Sequence, residues 1–108
     1  MTWVLDASGT QAAQVGVEHQ LAQSAQNGTF QLYVDLSAMA IGDVVELRVY
    51  TKVLADGALG QAWKGVFSHQ QVSPIPPSPP IASDVQVQVT LKQTAGTPRS
   101  FAWKILRI

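Results

Sequence analysis

Residues 28–53 read GTFQLYVDLSAMAIGDVVELRVYTKV. Two alternating segments flank a short corner that does not alternate. In the first, Phe30, Leu32, Val34 and Leu36 fall on one side. In the second, Val45, Leu47, Val49, Thr51 and Val53 oppose Val44, Glu46, Arg48, Tyr50 and Lys52. A period of two with one apolar side is the pattern of a half-buried strand. Ser37 to Ile41 breaks the alternation and reads as one helical turn, closed by Gly42-Asp43.

Upstream, Val15, Val17, His19, Leu21 and Gln23 alternate with Gly16, Glu18, Gln20, Ala22 and Ser24. Asn27-Gly28 then supplies the residues of a two-residue hairpin turn, which needs φ > 0. That turn predicts Ala25 opposite Phe30, Gln23 opposite Leu32, Leu21 opposite Val34 and His19 opposite Leu36. Thr2 to Asp6 reads as a first strand ended by Ala7-Ser8-Gly9.

Downstream, Asp56-Gly57 is a second hairpin signal. A two-residue loop there sets Tyr50 opposite Trp63, Leu47 opposite Val66 and Glu46 opposite Phe67; Leu59-Gly60 leaves room for a longer loop or a bulge. Pro74-Ile75-Pro76-Pro77-Ser78-Pro79-Pro80 cannot donate to a ladder and reads as polyproline II. Val85, Val87, Val89 and Leu91 alternate with Gln86, Gln88, Thr90 and Lys92. Thr94 to Arg99 turns around Gly96. Phe101, Trp103 and Ile105 form the last strand, with Leu106 and Ile108 on its reverse. The chain therefore reads as one all-β domain over residues 1–108, an antiparallel β-sandwich or jelly-roll-like barrel of seven to eight strands.

Only 13% of the 108 residues are charged, against about 25% in ordinary domains. Twelve glutamines supply much of the polarity, and neutral polar surface costs less to desolvate than charged surface. The net charge of zero argues against a nucleic-acid footprint. Residues 1–47 carry five acids and no base, whereas all seven bases follow residue 47. If that asymmetry survives folding, it favours head-to-tail contacts.

With no cysteine, disulfide and thiol chemistry are excluded. No segment approaches the roughly 18 apolar residues of a membrane helix, and MTWVLDASG has no signal-peptide pattern. A cytoplasmic start is the expectation.

Catalytic and metal chemistry find little footing. His19 falls in an apolar stripe, as a hydrogen-bonded core histidine would. Ser68-His69 with Asp35 or Asp43 lacks the elbow and oxyanion loop of a nucleophilic triad. Asp35, Asp43, Asp56 and Asp84 sit at strand ends or turns, where capping explains them. No catalytic residue, metal ligand or cofactor is assigned.

Two surfaces are candidates for contact. Tyr50, Trp63 and Phe67 share one face in the register above, suiting a protein interface or a sugar ring if the core does not claim them. Pro76, Pro77, Pro79 and Pro80 form either a connector between sheets or a stiff arm that loses little entropy on docking.

The strings GTFQLYVDLSAM (28–39), GDVVELRVY (42–50) and VTLKQTAGTPRSFAWKIL (89–106) resemble small β-sandwich virion structural proteins of tailed bacteriophages, some of which decorate or cement the capsid. The resemblance implies a non-enzymatic protein on the capsid surface. Its partners would be the major capsid protein and other copies of itself, a trimer among the options, with no nucleic acid and no membrane. A carbohydrate-binding module using the aromatics, or a tail or head–tail component, are the alternative readings.

Overall fold

The computed structural model describes residues 2–108. Eight strands follow in order: β1 (Val4–Ala12), β2 (Glu18–Ser24), β3 (Gly28–Val34), β4 (Val44–Thr51), β5 (Gly60–Ser68), β6 (Ile81–Ser83), β7 (Val87–Ala95) and β8 (Ser100–Arg107). They form two antiparallel four-stranded sheets, β1-β8-β3-β6 and β2-β7-β4-β5. The pairs β1·β8, β2·β7, β3·β6 and β4·β5 make the chain a single antiparallel ribbon, folded at the β4–β5 hairpin. Rolling that ribbon places successive strands, apart from the β4–β5 hairpin, in alternate sheets, which is the jelly-roll arrangement.

Alternation drives the roll. Phe30, Leu32, Val34, Phe101 and Ile105 from the first sheet meet Val45, Leu47, Val49, Val87, Val89 and Leu91 from the second, and all are buried. Each fully buried aliphatic or aromatic side chain contributes about 1.5–3 kcal/mol relative to exposure. Leu36 and Met39, in the β3–β4 connection, close the core at one end.

Several expectations are corrected. The Asn27-Gly28 turn is not a hairpin: β2 pairs with β7 and β3 with β6 and β8, in opposite sheets. Leu21 packs against the core that holds Val34 from the opposite sheet, and the two are not ladder partners. Two strands that face one core present coincident apolar sides whether they are neighbours or opposed, so the pattern could not separate the two cases. Val15 and Val17 precede β2 and are exposed. β1 continues through Ala7-Ser8-Gly9, which pair with Ile105, Lys104 and Trp103 of β8, and Gly9 lies against the Trp103 ring, where a Cβ would stand 3.1 Å from the indole. Residues 37–41 form hydrogen-bonded turns (Met39 N to Leu36 O, Asp43 N to Ala40 O) and not a helical turn. Val53 lies beyond β4, exposed.

The β4–β5 hairpin forms, but in another register. Val45 faces Phe67, Leu47 faces Gly65, and Val49 faces Trp63. The loop spans residues 52–59, and β5 then carries an extra residue, Ala62, between the Tyr50–Gln61 and Val49–Trp63 pairs. A one-residue slip moves every later side chain to the opposite face. Trp63 and Phe67 consequently join the core side, while Tyr50 stays on the outer face.

The Pro-rich segment crosses from β5 in one sheet to β6 in the other. Before β6 it lies along β3: Leu36 N donates to Pro74 O, Ser78 N to Leu32 O, and Tyr33 and Pro77 form an isolated bridge. The buried Ser78 pins it, its Oγ accepting from Leu32 N at 2.8 Å. This strap occupies β3's open flank with residues that mostly lack an N–H.

Candidate functional surface

Polar chemistry concentrates in two places, one on the outer face of the β2-β7-β4-β5 sheet and one at an end of the roll. On the outer face, the ladder aligns Glu18, Lys92 and Glu46 in one row and Gln20, Thr90, Arg48 and Lys64 in the next. Glu18 accepts from Arg48 at 2.7 Å, from the Tyr50 hydroxyl at 2.6 Å and from Thr90 at 2.7 Å. Arg48 also pairs with Glu46, which Lys64 approaches at 3.6 Å. Burial pushes the Glu18 carboxyl up, but these donors outweigh it and hold it below the usual range. Burial and the Glu18 bond raise Tyr50 above the ordinary phenol range, against the opposing pull of Arg48. This lid leaves Thr90 only 2% exposed despite its outward-facing position.

At the end of the roll, four connections are tied together by Asp43 and Gln93. The Asp43 side chain is 1% exposed and accepts from Ala40 N at 2.9 Å, Thr97 N at 3.0 Å and Arg99 Nε at 2.9 Å. Burial raises its carboxyl, while the two amides and the guanidinium more than reverse that and hold it below its ordinary value. Gln93 is fully buried; it donates to Ala95 O and Thr97 O and accepts from Arg99 N, clamping the β7–β8 turn. Its backbone carbonyl accepts from Gly16 N.

Both histidines serve the same end. His69, at φ 64°, accepts from Gly42 N through Nδ1 at 2.9 Å, and its own N–H donates to Asp43 O. His19 accepts from Gln14 N at 3.1 Å and is half-buried, at the margin of the core rather than in it. Neither imidazole stands beside a nucleophilic hydroxyl bonded to it. Among the described residues no three His, Asp or Glu side chains gather as a metal site would require.

The charge asymmetry of the sequence is erased by the interleaving. Asp6 pairs with Arg107, Glu18 and Glu46 with Arg48, and Asp43 with Arg99, so four of the five acids from the first 47 residues meet a base from the remainder, while Asp35 accepts from Ser37 N.

The three candidate aromatics are not brought together. Trp63 and Phe67 flank Gly65 on the core side, and Tyr50 is on the opposite face bonded to Glu18. No shared aromatic platform forms. Pro77, Pro79 and Pro80 are exposed on the strap and Pro76 is half-buried.

One apolar concavity is not announced by the sequence. It is an open groove of about 490 Å³ on the outer side of the β1-β8-β3-β6 sheet, lined by Leu5, Tyr33, Ile75, Ala102, Trp103 and Lys104 among others. Lys104 Nζ lies 5.2 Å from the centroid of the Tyr33 ring, a cation–π distance. Leu5 and Ile75 are 60% and 53% exposed, so apolar surface lies open at the rim. Residues from β1, β3, β8 and the strap must be assembled to make this groove, and no single segment carries its signature. Comparison with protein families, with curated proteins and with solved structures finds no match to this chain.

Proposed function

We propose that this protein is a non-enzymatic virion structural component of a tailed bacteriophage, a decoration or cement protein that binds the major capsid protein and stabilises the shell. The observation that carries the reading is the fate of the reactive side chains. Asp43, Glu18, His19 and His69 each spend acceptor capacity on the protein's own backbone or side chains, which suits a scaffold rather than a reaction site. The jelly roll is an architecture used in viral capsid and lectin domains alike, so it agrees with the reading without singling it out. The chain's resemblance to virion β-sandwich proteins favours the first.

The mechanism is mechanical. A rigid sandwich presents apolar and neutral polar surface, here the groove at Leu5, Tyr33 and Ile75 and the exposed prolines of the strap, to adjacent capsomers. Each contact adds a modest free energy, and repetition over the lattice multiplies the effect. Localising the gold-labelled protein on intact particles by electron microscopy tests the assignment. Label distributed over the head supports decoration, label confined to the tail or neck moves the protein to another structural role, and unlabelled particles reject a virion role.

A further inference from the structure

The jelly roll has four edge strands, and three of them are guarded. β6 is three residues long and is continued by the proline strap. β2 carries Glu18 and a register shift between Gln20 and Ala22. β5 has Lys64 at its centre and a register shift next to Trp63. Charge, proline and bulges are the devices by which edges avoid pairing with other chains. β1 has such a device only at its start, where Asp6 is the extra residue of a shift between Leu5 and Ala7. From Ala7 to Ala12 it runs in unbroken register against Ser100–Ile105, with no charge and no proline. This is the longest such run on any edge.

We propose that β1 pairs antiparallel with β1 of a second copy through Ser8–Ala12, joining two four-stranded sheets into one of eight. The inference deepens the self-association expected of a shell protein. Main-chain N–H and C=O groups along this open edge select a strand as the occupant, the Ala12 carbonyl accepting only from the exposed Gln11 side chain. The character of the run selects this chain's own copy. Ala13 N bonds Arg99 O, so Ser8, Thr10 and Ala12 turn their main-chain groups to the open edge, and a two-fold axis at Thr10 sets Thr10 opposite its own copy, Ser8 opposite Ala12 and Gly9 opposite Gln11, all small or neutral. Asp6, the one charge on β1, is held by Arg107 and falls outside the paired run, so no like charges oppose each other. The same axis carries Val4 and Leu5, 45% and 60% exposed, towards Val15 and Val17 of the other copy, 43% and 40% exposed. Apolar surface that follows the strand thus meets apolar surface that precedes it. An interface closed by a two-fold axis is self-complementary and stops at two chains.

Sedimentation equilibrium of the full chain over about 1 mM to 1 μM, a range spanning moderate affinities, tests this. The expected result is a concentration-dependent rise to twice the 11.6 kDa chain mass. The doubly substituted Ser8→Lys/Thr10→Lys chain is expected to remain at one chain mass throughout, with an unchanged circular-dichroism spectrum. Hydrogen exchange on the unsubstituted chain supplies a second reading: amides within residues 8–12 gain protection with concentration, while those of β5 do not. A single-chain mass at 1 mM, a three-chain species, or protection that appears on β5 instead overturns the pairing. Shell binding is scored separately, so a monomer that still decorates shells defeats this inference alone, and a dimer that ignores shells defeats only the capsid reading.

Discussion

Replacing Asp43 with alanine removes a carboxylate that ties the β3–β4 connection to the β7–β8 connection at one end of the roll. It accepts two amide hydrogen bonds, from Ala40 and Thr97, inside a site where its own side chain is 1% exposed. Bonds to a buried charge are worth about 1.5 kcal/mol each at the low end. Arg99 is the third partner, but its side chain is 31% exposed, so the ion pair belongs with the weak, solvent-screened class of about 0–1 kcal/mol. Asp43→Ala should therefore cost about 3 kcal/mol, near 15 °C in Tm at about 5 °C per kcal/mol for a domain of this size. Asp43→Asn keeps one neutral acceptor and should cost about 2 kcal/mol, and Arg99→Ala about 1 kcal/mol. Because the folded carboxyl sits below its unfolded value, its contribution is complete above the unfolded pKa and is lost as pH falls through the folded one. The acid limb of the stability curve should accordingly be shallower in Asp43→Ala. Urea denaturation from pH 7 down to pH 2 reads all of these. Equal losses for Asp43→Ala and Arg99→Ala, or a loss below about 1 kcal/mol for the former, would refute the primacy of the two amides.

Four further outcomes are expected. Gly96→Ala sets a Cβ against Asp43 Oδ1 and 2.6 Å from Asp43 Cα at a residue with φ of +94°, so it should cost at least about 2 kcal/mol, and most of that cost should remain in an Asp43→Ala background, where Cα and the strained φ persist, as measured in a double-mutant cycle. Glu18→Gln should cost about 1 kcal/mol, kept small because the Glu18 side chain is 31% exposed. In a Tyr33→Phe chain, ultraviolet titration should put the Tyr50 phenol above the ordinary range, and adding Glu18→Gln should lower it. Since the folded phenol is raised, its stabilising contribution is present below the unfolded pKa and fades as pH climbs through the folded one. Ser78→Ala should cost about 1–2 kcal/mol and speed hydrogen exchange at Leu32, whose amide loses its Oγ acceptor.

Strand existence was legible because alternation is local. Val45, Leu47 and Val49, or Val87, Val89 and Leu91, announce a buried face wherever their strand ends up. Partner choice was not legible, because Asn27-Gly28 turns the chain equally well within a sheet or across the core. The aromatic surface was misread for a narrower reason. Ala62, one extra residue in β5, reverses the facing of Trp63 and Phe67; Leu59-Gly60 left room for a longer loop or a bulge, but nothing in GQAWKGVFS places it at Ala62. Asp43 was legible as a turn acceptor, but its burial and its bonds to Thr97 and Arg99 depend on residues 54 and 56 positions away. Gln93 looked like one more polar surface residue and is instead a fully buried clamp. The groove at Leu5, Tyr33, Ile75 and Trp103 needed the roll itself, since four separate segments build it.

The measurement that bears most directly on the central claim is co-sedimentation of the purified protein with empty phage shells, followed by heating. A rigid scaffold that works only by surface contact should bind in a fixed ratio to capsid protein and raise the temperature at which the shells come apart. Shells that pellet without the protein at saturating concentration, and that open at the same temperature with or without it, would contradict the account.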